Sequence, residues 1–376
     1  MINIFQPTLR DEELALVGDI FRSNWIGKGD AVLQFEQVFA VSLRADPTLF
    51  TSTSSCTEGL FLATELFNLG PGDEVLVPSL SFIAVGSAVI ASGATLVLCD
   101  SDPRTLNVTA SLLEAKITPR TKAIYLTHYA GVPCEMDEIL ALCRRHQIVV
   151  IEDAACSVRS FYKGRACGTL GDMGAWSFDA MKTICTGDGG MLYFSSPKIL
   201  NDAKEQLYLG LPNRQKSGID SSSAGNERWW EYQITRPGRR AIMNNISGAI
   251  GLAQMRKLDQ FLDRRRVVDE HYRRELAAVD WLTLPPVVPA YSESSHYFFH
   301  VQLERRDEFA HHLKRRGVYS TFRYWPLHRV EYFKIDGADL VHSNWVADHT
   351  LCIPLHQALS DSDVETVIGA VKSFVP

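Results

Sequence analysis

Paired cysteines, long apolar runs and dense basic clusters are all missing from this chain, and each absence excludes a class of protein. The eight cysteines (Cys56, Cys99, Cys134, Cys143, Cys156, Cys167, Cys185, Cys352) are scattered, with no Cys-x-x-Cys pair and no zinc-ligand spacing. That argues against a disulfide framework and a metal module, and predicts reduced, mostly core thiols in a reducing compartment. The longest apolar stretch, near residues 85–99, is broken by Ser and Gly and is too short to span a bilayer. The N-terminus, Met-Ile-Asn-Ile-Phe-Gln-Pro, lacks the basic and apolar regions of a signal peptide, so the expected location is cytoplasmic. The net charge is −6, and the densest basic cluster is Arg264-Arg265-Arg266, directly after Asp263. A nucleic-acid partner is therefore not expected.

What is present is ordinary globular material. The chain has 376 residues, 46% of them hydrophobic and 22% charged, enough for a full core and two domains. From about residue 50 to 195, short β-branched runs alternate with amphipathic segments. Strands are predicted at 74–77, 95–100, 123–127, 149–152, 174–178 and 190–194, and helices at 57–67, 111–116 and 136–146. Continuous apolar strands suit a parallel sheet buried on both faces, so the expected fold class is α/β, doubly wound, with ligands at the carboxyl ends of the strands. Residues 208–240 break the pattern with a polar stretch that ends in Trp229-Trp230; such a loop is either a site or interface element or a disordered insert. A long helix is expected over 244–276. After it comes a smaller α+β unit with a strand at 297–303, a helix at 307–316 and short strands near 321–325 and 351–354. The expected domains are 1–260, large and cofactor-binding, and 261–376, small and C-terminal.

One lysine stands apart. Lys182 lies between an apolar run at 173–178 and the turn Thr186-Gly-Asp-Gly-Gly, which leads into a second apolar run. A lysine so placed is expected to be desolvated, and burial lowers an ammonium pKa toward Schiff-base chemistry. Upstream, Asp153 closes the run Ile148-Val-Val-Ile-Glu-Asp. A buried Lys and a strand-end Asp are the two anchors pyridoxal phosphate requires: one for its aldehyde carbon, the other for a protonated pyridine nitrogen. Thr51-Ser-Thr-Ser-Ser-Cys-Thr-Glu-Gly is a hydroxyl-rich turn opening a helix, where free N–H groups favour a phosphate. Phe82, in Pro78-Ser-Leu-Ser-Phe, follows a strand and is suited to stack on a flat ring.

These residues, together with Gly70-Pro-Gly-Asp-Glu-Val, His128-Tyr-Ala-Gly, Glu152-Asp-Ala-Ala, Tyr162-Lys-Gly-Arg and Pro326-Leu-His, resemble the DegT/DnrJ/StrS family of sugar aminotransferases. The resemblance runs in order from Asn24-Trp-Ile-Gly to Ile353-Pro-Leu-His, nearly the whole chain. It implies a fold-type I pyridoxal 5′-phosphate transferase: a mostly parallel sheet flanked by helices, a smaller C-terminal α+β domain, and a homodimer with shared active sites. Lys182 matches the family's catalytic lysine and Asp153 its pyridine partner. Phe82 matches the stacking aromatic, and Cys56, Thr57 and Ser177 match phosphate-side positions. Arg240 and Asn245, in Gly238-Arg-Arg-Ala-Ile-Met-Asn-Asn, match a segment supplied by the neighbouring subunit. The sugar pocket is expected to draw on Trp25, Trp229, Tyr324 and His328.

Four positions depart from the family pattern: Cys56 replaces Gly, Cys156 replaces the Gln beside the cofactor hydroxyl, Asp179 replaces His, and Ala241 replaces an aromatic. Relatives that exchange the lysine for His are dehydratases, so Lys182 favours transamination. The expected reaction passes an amino group from L-glutamate to a nucleotide-linked keto-deoxysugar; the look is closest to dTDP-4-keto-6-deoxyglucose transaminases. A C3-keto-sugar or keto-cyclitol aminotransferase, and a non-catalytic cofactor-binding sensor, remain the alternatives.

Overall fold

In the computed structural model, which describes residues 1–211, 234 and 236–375, two helices open the chain: α1 (Asp11–Arg22) and α2 (Asp30–Ser42). The strands that follow are β1 (Phe50–Thr53), β2 (Glu74–Pro78), β3 (Thr95–Cys99), β4 (Thr121–Thr127) and β5 (Val149–Asp153). Then come the two-residue β6 (Phe161–Tyr162) and β7 (Arg165–Ala166), β8 (Met173–Ser177) and β9 (Gly190–Phe194). Seven of them form one sheet in the order β1-β9-β8-β5-β4-β2-β3. β9 pairs antiparallel with both its neighbours, and every other pairing is parallel.

The connecting helices are α3 (Cys56–Leu66), α4 (Ile83–Ala91), α5 (Ala110–Glu114), α6 (Met136–His146) and α7 (Pro197–Leu207). They cover both faces of the sheet, which is why its strands are apolar without alternation. On one face Leu60, Ala63, Val85 and Val89 pack over Val75, Val77, Ile151 and Leu192. On the other, Met136, Ile139 and Leu142 cover Leu76, Ile124 and Val150. Glu152 also belongs to that second face. It is fully buried and accepts hydrogen bonds from the N–H groups of Gly168, Leu170 and Gly171 and from His128. The carboxylate therefore stands in for a strand, satisfying the donors of the turn that leads into β8.

α8 (Asn245–Leu276) runs for 32 residues and serves two cores. Its Leu258 and Phe261 pack with Phe35, Phe39 and Trp176, whereas Val268, Tyr272 and Leu276 join a separate C-terminal cluster. That cluster is built from β11 (Phe299–Gln302), α9 (Arg306–Arg315), β12 (Thr350–Ile353) and α11 (Asp361–Lys372). β10 (Ser292–Glu293) pairs with β6, and α10 (Val341–His349) precedes β12.

The strands expected at 74–77, 95–100, 123–127, 149–152, 174–178 and 190–194 all form, within two residues at each end. The strand expected at 321–325 does not. Only Thr321 pairs, its N–H and C=O bonding to Cys352 at 3.2 and 2.7 Å. Pro326 cannot donate to a ladder and biases the residue before it, so the chain leaves the sheet there. All eight cysteines are free and buried. Among the described residues no helix is long and apolar enough to cross a membrane.

Two histidines of the C-terminal unit give the fold an acid limit. His300 and His356 are buried, their Nε2 atoms facing the carbonyls of Arg104 and Asn3, and burial pulls each pKa down to about 4. The unfolded chain takes up these protons below its ordinary pKa near 6.5 while the folded chain does not. Stability is therefore lost as pH falls from about 6.5 to about 4, by roughly 1.4 kcal/mol per unit for each histidine. Denaturant titrations across that window should show this decline, and His300→Gln should flatten it; equal slopes in the two proteins would contradict the assignment.

Candidate active site

Parallel strands deliver their last residues to one side of the sheet, and a cleft of about 390 Å³ opens there. β5 contributes Asp153 and β8 contributes Ser177, and both line the cleft. The β8–β9 connection contributes Lys182. That loop is pinned at its base, where Phe178 N–H donates to Gly189 C=O and Thr186 N–H to Phe178 C=O, each at 2.9 Å. Gly189 has φ +158°, and a Cβ there would lie 2.5 Å from the Thr186 hydroxyl, so the sharp turn requires glycine. Lys182 is held in turn by its own N–H, which donates to the Asp179 carbonyl at 2.9 Å.

The Lys182 ammonium lies 5.1 Å from the centre of the Tyr297 ring, whose hydroxyl donates to Met181 C=O at 3.1 Å. Desolvation does not lower its pKa as the sequence reading expects. Burial works in that direction, but Tyr297, Cys156, Asp153 and Cys56 surround the nitrogen with acidic groups and together hold its pKa above the ordinary lysine value. In the chain alone, Lys182 is a cation.

Asp153 is 4% exposed, and its Oδ1 accepts from Ala155 N–H at 3.1 Å. Burial pushes its carboxyl up, against the pull of Ala155 N–H, Lys182 and His128. The turn before α3 supplies Ser55, whose hydroxyl caps the helix by accepting from Glu58 N–H at 3.1 Å. Cys56 and Thr57, the first two residues of α3, line the cleft, where a helix N-terminus carries unpaired donors and partial positive charge. Phe82, just before α4, is 43% exposed and lines the cleft, its ring 5.6 Å from that of Tyr324. These residues fit pyridoxal phosphate: an amine for its aldehyde, a carboxylate for its ring nitrogen, a helix end for its phosphate and an aromatic face for its ring.

The structure thus brings Lys182, Asp153, Cys56, Thr57, Ser177, Phe82 and Tyr324 to one cleft. Cys156 stands behind it, its Sγ 3.3 Å from the Tyr324 hydroxyl. Four other expected site residues do not line it. Trp25 donates its indole N–H to Lys28 C=O at 3.1 Å. Asn245, the first residue of α8, accepts from Val32 N–H and donates to Trp25 C=O, each at 3.3 Å. The exposed Arg240 lies 5.5 Å from the Tyr208 ring. His328 has both ring nitrogens engaged, by the Ser79 hydroxyl at 2.6 Å and the Asn344 amide oxygen at 3.0 Å. Trp229 lies outside the described residues. Tyr297, Arg323 and Asp188 line the cleft but were not singled out from sequence. Among the described residues no cluster of His, Cys, Asp or Glu could hold a metal.

A sheet of this topology, with its lysine loop and strand-end carboxylate on one crevice, defines a fold-type I pyridoxal phosphate-dependent transferase. Structural similarity is of the same kind: an aminotransferase, TlmJ from Streptoalloteichus hindustanus, superposes with a TM-score of 0.93 at 48% identity, over 99% of this chain and 98% of its own. The chain belongs to the DegT/DnrJ/EryC1/StrS aminotransferase family, whose model matches residues 7–372. Curated relatives include a dTDP-4-dehydro-2,3,6-trideoxy-D-glucose 4-aminotransferase from Saccharopolyspora spinosa, 45% identical over 100% of this chain and 97% of that protein. A GDP-perosamine synthase from Caulobacter vibrioides is 35% identical over 100% and 98%. The protein is accordingly a pyridoxal phosphate-dependent sugar aminotransferase.

Proposed function

We propose that the chain transfers an amino group from L-glutamate to the keto carbon of a dTDP-linked 4-keto-6-deoxysugar. The facing pair of Lys182 and Asp153 carries the transamination half of this reading. The nucleotide and keto position rest on similarity to the Saccharopolyspora enzyme over the full chain. When bound, pyridoxal phosphate supplies the electron sink that allows a C–H bond beside an amine to ionise. Asp153 keeps the ring nitrogen protonated. Ser177, Thr57 and the N–H groups at the start of α3 would hold the phosphate, and Phe82 would cover a ring face. Lys182 Nζ, freed by the incoming donor, removes the proton from the donor's α-carbon and later returns one to the sugar carbon, as base and then acid.

We further place Arg240, Asn245 and Trp25 in the site of a second copy, giving a homodimer with shared clefts, and set the domain boundary inside α8 near residue 260. The exposed Leu14, Phe21, Trp25 and Ile26 support an apolar contact at that end of the molecule. Tyr324 is assigned to the sugar pocket, and the free thiols support a cytoplasmic location. Incubation with glutamate and a panel of dTDP-, UDP- and GDP-linked keto sugars tests the reading. An axial or equatorial 4-amino sugar on dTDP is the expected product. Amination only at C3, or only of a GDP-linked sugar, would overturn the assignment.

A further inference from the structure

The cleft has two walls that belong to different cores. On the α3 side, Cys56 and Leu60 pack with the sheet; on the other, Tyr297 and Tyr324, with Cys156 behind them, join a cluster that includes Leu80, Tyr129 and Phe298. The second wall holds a buried polar group with little to bind. Tyr324 is 8% exposed, and its ring is fixed by those of Phe82, Tyr129 and Phe298 at 5.6, 6.4 and 5.9 Å. Among the described residues the one hydrogen bond of its hydroxyl is to the sulfur of Cys156, at 3.3 Å. Sulfur is a weak partner, and a buried hydroxyl ordinarily has a better one. Burial pushes both the Cys156 thiol and the Tyr324 phenol up in pKa, so both keep their protons at neutral pH. The thiol can then donate to the Tyr324 oxygen, which leaves the Tyr324 O–H free to donate toward the cleft.

Pyridoxal phosphate carries its ring nitrogen and its aldehyde carbon at opposite ends, so Asp153 and Lys182 would fix its long axis. Of the two ring edges between them, one bears the phosphate arm and the other a phenol oxygen, which is negative once the lysine is attached. The N-terminus of α3 suits the phosphate edge. The phenol edge then falls to the opposite wall, where Cys156 feels the charges of both Lys182 and Asp153. We infer that the Tyr324 hydroxyl, oriented by the Cys156 thiol, donates the hydrogen bond that holds the phenol oxygen of the cofactor. The ring of Tyr324 stays available to the sugar pocket; only its hydroxyl is claimed here for the cofactor. The inference rests on the proposed seating of the cofactor between Lys182 and Asp153, and not on the amino donor or the sugar.

The consequence can be read without any substrate. In the loaded enzyme the negative phenol oxygen holds the proton of the attached lysine nitrogen. A hydrogen bond from Tyr324 draws off part of that charge, so the proton leaves at lower pH. A pH titration of the visible band gives the midpoint of that loss. Tyr324→Phe, which keeps the ring, should raise the midpoint by about one to two pH units, the equivalent of one hydrogen bond to a charged oxygen. Cys156→Ala should shift it the same way by less, and Cys156→Ser, which keeps a donor, should leave it near wild type. The other groups that face this pair are Asp153, Lys182, Arg323, Tyr297, Tyr129 and Cys352. Burial holds Tyr297, Tyr129 and Cys352 in their protonated forms, so their titration does not imitate the shift. The keto-sugar KM of Tyr324→Phe should stay within about threefold of wild type, because no contact to the sugar is lost. An unchanged midpoint in Tyr324→Phe would overturn the inference, and a raised keto-sugar KM beside it would place the hydroxyl on the sugar instead. Should Tyr324→Phe take up no cofactor, the thiol variants decide, and equal midpoints in Cys156→Ala and wild type would overturn it. A visible band that survives Lys182→Ala would remove the seating on which the inference rests, a failure distinct from the other two.

Discussion

Lys182→Ala should lower turnover by about four orders of magnitude, the upper range for losing a general acid–base group, and should remove the visible absorbance of the lysine-bound cofactor. Two roles converge on this nitrogen. Among the described residues it is the one lysine lining the cleft, where it offers an amine to hold the cofactor covalently. It is also the group proposed to move the proton, and three ionisable groups around it, Tyr297, Cys156 and Cys56, are raised in pKa by burial and stay protonated at neutral pH, so they cannot replace it as a base. In the chain alone the Lys182 pKa stands above the ordinary lysine value, so the amine is protonated at neutral pH. Attachment of the cofactor must therefore begin with loss of a proton, and it should be slow at acid pH. Absorbance spectra and steady-state rates of the purified variant check the prediction. Activity within tenfold of wild type would remove Lys182 from the mechanism, whereas an inactive variant that keeps the visible band would leave its covalent role unsupported.

Much of this site was legible because its parts are local. β2 and β5 are runs of Val, Ile and Leu that can only sit inside a two-faced sheet, and their ends therefore mark a crevice. Lys182 was conspicuous because two apolar runs and a glycine turn flank it within a few residues. Tyr297 and Arg323 carried no such signal. Each reaches the lysine loop by long-range packing, 116 and 142 residues from its contact at Met181. What places Tyr297 is remote as well: Arg265, buried on α8, donates to the carbonyls of His296, Tyr297 and Leu355. His328, in a conspicuous Pro-Leu-His, has its two nitrogens engaged by Ser79 and Asn344, so it ties the turn after β2 to α10. The direction of the Lys182 shift could not be read either, because burial is implicit in an apolar flank while the acidic neighbours arrive from three other segments.

Asp153→Ala should slow the glutamate half-reaction by roughly two to three orders of magnitude while leaving most of the cofactor bound, the cost typical of removing one preorganised electrostatic contact. Asp153 does not touch the reacting carbon. Its carboxylate is buried at the end of β5, with Ala155 N–H on Oδ1 and the charges of Lys182 and His128 nearby. The fully buried His128–Glu152 pair lies directly behind it, so the strand end is rigid and the carboxylate needs no rearrangement to meet a protonated ring nitrogen. Asp153 would keep that nitrogen protonated and so electron-withdrawing, and its removal would raise the barrier at the α-carbon. Retention should change little, because Lys182 and the start of α3 hold the other two ends. Asp153→Asn, which keeps the shape but loses the charge, should resemble Ala in rate, and Asp153→Glu should recover part of it if the longer chain finds room. Single-turnover spectra give the rate per bound cofactor, and dialysis gives its retention. A variant that sheds its cofactor yet turns over normally at saturating cofactor would make Asp153 a binding residue and leave the electron sink without its partner.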